Sequence, residues 1–191
     1  MRVVSDSELV IGSLDNPQRF ERLVELYGER VHAYLARRVA ANADDLLAEV
    51  WLAAFAGRRS YDPARGEVVG WLFGIARNVM LAHLRTEQRR STREGVVRHF
   101  NVEQIDEWAA VDGRLDAAGS APALRVALAG LPAEEREVLL LVAWEQLTPS
   151  EVAVALGIPA GTARSRLHRA RKRITSGWGS PVDDYEREVI S

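Results

Sequence analysis

The chain contains no cysteine. Disulfides, thiolate zinc sites and cysteine nucleophiles are therefore excluded, and the chain is not itself a thiol sensor. No hydrophobic run approaches the ~20 apolar residues of a membrane span. The opening stretch, Met1-Arg-Val-Val-Ser-Asp-Ser, has no signal-peptide core. A cytoplasmic protein without membrane insertion is the expectation. Strict apolar–polar alternation is missing throughout, which argues against strands. The histidines at positions 32, 83, 99 and 168 and the paired acids Asp44-Asp45 and Asp183-Asp184 form no metal-ligand spacing and no nucleophile–base set. Neither an enzyme nor a cofactor is expected. A formal charge of −2 does not suggest a general nucleic-acid coat.

What is present is a globular composition, 47% hydrophobic and 27% charged over 191 residues, enough for one large domain or two small ones. Charge is segregated along it. Residues 85–98 hold five Arg against two Glu, and residues 100–120 hold five acids against Arg114. The stretch Arg164–Arg173 has six cations and no acid. The tail after Ser176 turns acidic again, with Asp183, Asp184, Glu186 and Glu188.

The most organised stretch is Leu147–Ile174. Thr148 or Ser150 can cap a short helix with Glu151 in its first turn. Gly157 sits where a C-cap glycine belongs, and Pro159 follows as a breaker. A second helix starts near Gly161-Thr162, with Ala163, Leu167, Ala170 and Ile174 on one apolar stripe. Ser165, His168, Arg169 and Lys172 fall on the opposite face, flanked by Arg164, Arg166, Arg171 and Arg173. The pattern suits a helix-turn-helix whose second helix enters the DNA major groove. Arginine can donate bidentately to guanine, and the other cations can meet phosphate. A solvated basic helix is the plainer alternative.

Earlier in the chain, residues 1–15 read as a weakly ordered lead. A helix follows from Asn16-Pro17, with Asn16 as cap and Pro17 at its first position. A second opens at Asn42 or Asp44, with Leu46, Leu47, Val50, Trp51, Ala54 and Phe55 on its apolar side. Gly57 to Gly66 is turn chemistry. A third helix runs from Val68 to Arg90, with Trp71, Leu72, Ile75, Val79 and Leu84 facing the core. Residues 16–90 thus form one unit, 91–121 a flexible linker, partly helical around Val102–Trp108, and 122–176 a second unit, with 177–191 an acidic tail. The expected fold class is all-α: two small helical domains joined by that linker, the C-terminal one a helix-turn-helix.

Both halves resemble one family, the extracytoplasmic-function (ECF) group of bacterial sigma-70 RNA polymerase sigma factors. In the C-terminal half, Leu131-Pro-Ala-Glu-Glu-Arg-Glu-Val-Leu and Gly157-Ile-Pro-Ala-Gly-Thr-Ala-Arg-Ser-Arg-Leu-His-Arg-Ala-Arg are similar to its −35-reading domain. In the N-terminal half, Asp44-Asp-Leu-Leu-Ala-Glu-Val-Trp and Trp71-Leu-Phe-Gly-Ile-Ala-Arg-Asn resemble its −10 domain. The resemblance implies a non-enzymatic role: binding core RNA polymerase, through its clamp helices and flap, and directing it to promoter DNA. It implies polymerase contacts at Asp45, Leu46, Glu49 and Val50, which also suit one plain amphipathic helix.

For the −10 element the resemblance implies Asn78, whose amide offers donor and acceptor to a flipped base. Tyr61 would stack on a base, and Arg58, Arg65 and Arg77 would hold the strand. In the −35 reader it implies Arg164, Ser165, His168 and Arg169 at bases, with Thr162 and Arg166 at phosphates. Arg169→Ala is expected to cost ~1–3 kcal/mol on a matched site; an equal loss on every sequence would make Arg169 a phosphate contact instead. The acids Asp106, Glu107, Asp112 and Asp116 either mimic nucleic acid inside polymerase or belong to a solvated tether. An anti-sigma partner is a family expectation. The rivals are a conventional regulator with a sensory N-terminal domain, an enzyme, and an anti-sigma or adaptor protein. The first finds no βαβ pattern here, and the last would not need the Arg-rich helix.

Overall fold

The computed structural model describes residues 4–93 and 121–177. The linker between them, with its acids and the helix expected around Val102–Trp108, and the tail from 178 lie outside the described residues. Eight helices order the rest: α1 (Asp6–Gly12), α2 (Glu21–Val39), α3 (Ala43–Gly57), α4 (Val68–Arg93), α5 (Ala121–Ala129), α6 (Ala133–Ala143), α7 (Pro149–Leu156) and α8 (Ala160–Gly177). Among the described residues there is no strand, and no helix is long and apolar enough to cross a membrane.

The first fifteen residues are not a loose lead. Ser5 and Glu8 form a reciprocal capping box that starts α1. Leu9 and Val10 bury against Phe20, Leu23, Tyr61 and Leu72. The apolar pair was too short to register as a period. Asn16 does act as a cap, accepting from the Gln18 amide, but of a 3₁₀ turn at Pro17–Phe20 that leads into α2.

The two halves share one core. Val31, Tyr34, Leu35, Leu46, Val50, Phe73 and Met80 pack in the same cluster as Val138, Leu141, Leu147, Val152, Ala163 and Leu167. The seam runs between α4 and α7, and Gly70 makes it possible. A Cβ there would lie 2.8 Å from the Glu151 carbonyl oxygen and 3.0 Å from Val154 Cβ. At the loop after α6, Glu145 enters the other half. Its carboxylate meets Arg37, pairs with Arg38 at 3.4 Å, and its carbonyl accepts from Arg30 at 2.6 Å. Both Arg38 and Glu145 side chains are 2% exposed, so each is affordable only because of the other. Farther along, Arg77 Nε donates to Glu137 at 2.5 Å.

Tyr34 is fully buried beneath the Arg38 guanidinium, 4.0 Å from its ring centroid. Burial pushes its phenol up to about 12, partly offset by the Arg38 charge. The folded state therefore holds the proton more tightly than the unfolded chain, whose phenol titrates near ~10. This stability is complete below about pH 10 and lost as pH rises toward 12. Urea melts between pH 8 and 12 are expected to show that loss, and Tyr34→Phe to lessen it, since burial also raises the phenols of Tyr27 and Tyr61. An equal decline in the variant would assign it to another group.

Candidate nucleic-acid interface

The helix-turn-helix is built by local rules. Thr148 caps α7, accepting from the Glu151 amide, while Glu151 accepts from the Thr148 amide at 2.6 Å. Pro149 occupies the first position, where no amide is needed. Gly157 ends α7 at φ 65°, a left-handed conformation that glycine adopts without a Cβ clash. The Pro159 carbonyl then accepts from Thr162 and Ala163, and α8 begins at Ala160, slightly before the expected start. Ala163, Leu167 and Ala170 are buried and Ile174 packs against Leu128, Leu131 and Leu140, so the expected apolar stripe is the one that faces inward.

The opposite face carries the expected reading residues. Arg164, Ser165, His168 and Arg169 are exposed, with Arg171 and Lys172 beside them. Thr162 and Arg166 are half-buried at the edge. Along the flank nearest α6 the arginines are not bare. Arg166 pairs with Glu134, and the single carboxylate of Glu135 accepts from Arg169 Nε at 2.8 Å and Arg173 Nε at 3.0 Å. Glu134 and Glu135 were legible in the sequence only as first-turn acids of a helix. Nothing local signals that they answer cations more than thirty residues away.

A second candidate surface is a groove of about 1040 Å³ between the 60–67 turn, α4 and α7. Tyr61, Arg65, Arg77 and Asn78 all line it, together with Trp71. Asn78 and Arg65 are exposed. Arg77 is half-buried and committed to Glu137; burial is the largest single influence and opposes its charge, but the bond to that carboxylate and the attraction of its charge, with a smaller push from Tyr34, together raise its pKa. Tyr61 departs from the expected stacking platform. It is 8% exposed, its ring lies 5.3 Å from Trp71, and its hydroxyl meets Ser7 at 2.7 Å and the Gly66 carbonyl at 3.1 Å. Its ring anchors the turn. Arg58 is not among the groove residues; its guanidinium lies over the Phe55 ring and donates to the Phe55 carbonyl. The far wall of the groove comes from the C-terminal half, through Ser150, Glu151 and Val154.

On α3 the expected polymerase contacts divide. Asp45 and Glu49 are exposed, whereas Leu46 and Val50 are 1% and 0% exposed. The two apolar side chains hold α3 onto the core and have no surface to offer. The outward residue that sequence reasoning missed is Leu52, 71% exposed and on the same face as Asp45 and Glu49. Its signal was a leucine off the apolar stripe, at i+7 from Asp45 and i+3 from Glu49.

Comparisons with known proteins agree with this architecture. Residues 23–90 match "Sigma-70 region 2" and residues 122–174 match "Sigma-70, region 4". The chain is 32% identical over 166 residues to the ECF RNA polymerase sigma factor SigE of Mycolicibacterium smegmatis, covering 81% of this chain and 60% of that relative. It is 30% identical over 175 residues to the ECF RNA polymerase sigma factor SigM of Mycobacterium tuberculosis, covering 89% of this chain and 83% of the relative. In fold it is similar to the sigma factor RpoE of Bartonella quintana, solved in complex with the anti-sigma factor NepR. That match has a TM-score of 0.56 at 22% identity, covering 83% of this chain and 96% of that one. Two sigma-70 regions in this order, together with relatives 30% or more identical, make the chain a member of the ECF RNA polymerase sigma factors.

Proposed function

We propose that the protein binds core RNA polymerase and directs it to promoters, reading the −35 element with α8 and the −10 element with the α4 face and 60–67 turn around Asn78. The observation that carries this reading is the outer face of α8. Arg164, Ser165 and His168 stand exposed there, on a helix fixed by an inward apolar stripe and a glycine-ended partner helix. Thr162, Arg166 and Arg169 complete the reading surface. Arg65 and Asn78 are the side chains best exposed to meet an unpaired strand. Asp45, Glu49 and Leu52 offer an acidic and apolar face to polymerase. An anti-sigma partner would regulate the chain by covering the same surfaces.

Elements centred near −35 and −10 lie on the order of 25 base pairs apart, about 85 Å at ~3.4 Å per step. A compact body of ~150 residues is only about 40 Å across, from a radius of gyration near ~15 Å. Occupying both elements therefore requires the α4–α7 seam to open. A fully extended chain of ~27 residues, the length of 94–120, reaches roughly 90 Å at ~3.3–3.6 Å per residue.

The direct test is run-off transcription with purified core polymerase on a pool of promoter fragments. Transcripts that appear only with this protein are expected, and their upstream sequences would give both promoter words. Sequence-specific duplex binding without transcripts or association with core would instead make the protein a conventional regulator.

A further inference from the structure

The arginines on the α6 side of the reading helix are held by acids, and one of those acids is buried. Glu135 is 5% exposed. Its two oxygens are divided between two arginines one helical turn apart, Arg169 through Nε at 2.8 Å and Arg173 through Nε at 3.0 Å. Their side chains remain 50% and 56% exposed. A guanidinium bonded through Nε keeps the edge formed by its two terminal nitrogens. That edge is the one that fits guanine O6 and N7 side by side. A long side chain tied at Nε also loses much of the rotamer freedom it would otherwise lose on binding.

We propose that Glu135 is a positioning residue for −35 recognition: it holds Arg169 and Arg173 by Nε, so that their terminal edges are presented to DNA already oriented. This deepens the −35 reading of α8 and rests on it. Glu135 has a second effect through charge. Of the six cations between Arg164 and Arg173, the acids of α6 engage Arg166, Arg169 and Arg173. Among the described residues, no ion pair engages Arg164, Arg171 or Lys172. The pairing restrains the sequence-independent attraction of the helix to phosphate while preserving its directional contacts. Both effects favour discrimination over raw affinity.

The test compares the full-length chain with Glu135→Gln, each bound to core polymerase. Duplexes are selected by the wild type from a pool randomised at the upstream element, and affinity for selected and scrambled duplexes is then measured at several salt concentrations. In Glu135→Gln the ratio of selected to scrambled affinity is expected to fall about tenfold. Binding to scrambled duplex should strengthen, with a salt slope steeper by up to ~0.9 for each cation released. A role confined to tying α6 to α8 would lower the melting temperature and leave ratio and slope unchanged; that result overturns the proposal.

Glu135→Asp covers the case in which the glutamine variant folds poorly: it keeps the charge but shortens the reach to both Nε groups, and should lose discrimination without the steeper salt slope. Arg169→Lys keeps the charge but lacks the fork, and should lose discrimination as well. Its loss and that of Glu135→Gln should not add in the double variant, since they remove one interaction. Fully additive losses also overturn the proposal. A wild-type chain that assembles with polymerase but selects no upstream sequence sinks the −35 reading itself, which the variants do not test.

Discussion

Replacing Glu145 with alanine is expected to cost about 3–5 kcal/mol of stability, because it takes the carboxylate away from a buried cation. Arg38 is 2% exposed and sits between the Tyr34 ring and the Glu145 carboxylate. Without that carboxylate its charge has no water and one fewer partner. Arg37 loses the same group while its guanidinium stays near the Trp144 ring, 6.0 Å from the centroid. Urea unfolding should show a lower midpoint at nearly unchanged slope. Glu145→Gln should recover part of the loss, since the amide oxygen still accepts, whereas replacing Arg38 and Glu145 together by methionine should recover most of it. A loss below ~1 kcal/mol in the alanine variant, the size of an exposed pair, would show that solvent reaches this contact. The ion pair joins positions 107 residues apart, so small-angle scattering should register the alanine variant as larger even where its helices survive.

The second large effect is expected at Gly70, where the sign itself is diagnostic. In a helix exposed to water, glycine to alanine gains about 1 kcal/mol. Gly70 is inside α4, but α7 lies against it, and the new methyl would meet the Glu151 carbonyl oxygen at 2.8 Å. Neither side yields easily, because the obstruction is backbone. Gly70→Ala should therefore lose roughly 1–3 kcal/mol as overpacking, and Gly70→Val more. A gain in melting temperature for Gly70→Ala would mean that α4 and α7 are not in contact in solution.

The same substitution probes function. It alters neither the outer face of α8 nor the α3 surface, yet weakens the closed arrangement that must part for both promoter elements to be read. If closure competes with polymerase, each ~1.4 kcal/mol removed from the closed state raises apparent polymerase affinity up to tenfold. Unchanged affinity, with the expected loss of stability, would place the opening after polymerase binding.

Much of this protein was written locally. The period of Ala163, Leu167, Ala170 and Ile174 defined α8 and its buried side, and Gly157 with Pro159 defined the turn before it, because caps and amphipathic stripes act within one or two helical turns. The outward position of Arg164, Ser165 and His168 followed from that stripe. The family followed from the order of the two halves. Less regular stretches escaped: α1 is seven residues with two buried apolar side chains, too brief for any period.

What only the tertiary structure decided are the partners. Leu46 and Val50 lie on α3 beside Asp45 and Glu49, but whether an apolar side chain meets a core or another protein depends on what packs above it. Tyr61 and Arg58 had the chemistry of nucleic-acid contacts, yet Ser7, Trp71 and Phe55 had already claimed them. The acids that meet the reading helix, Glu134 and Glu135, and the one that closes the two halves, Glu145, are ordinary surface residues when read in sequence. They gain their roles from arginines 32 to 108 positions away. Charge pairing falls off with distance in space rather than along the chain, so composition could locate the cations of α8 but not the carboxylates that aim them.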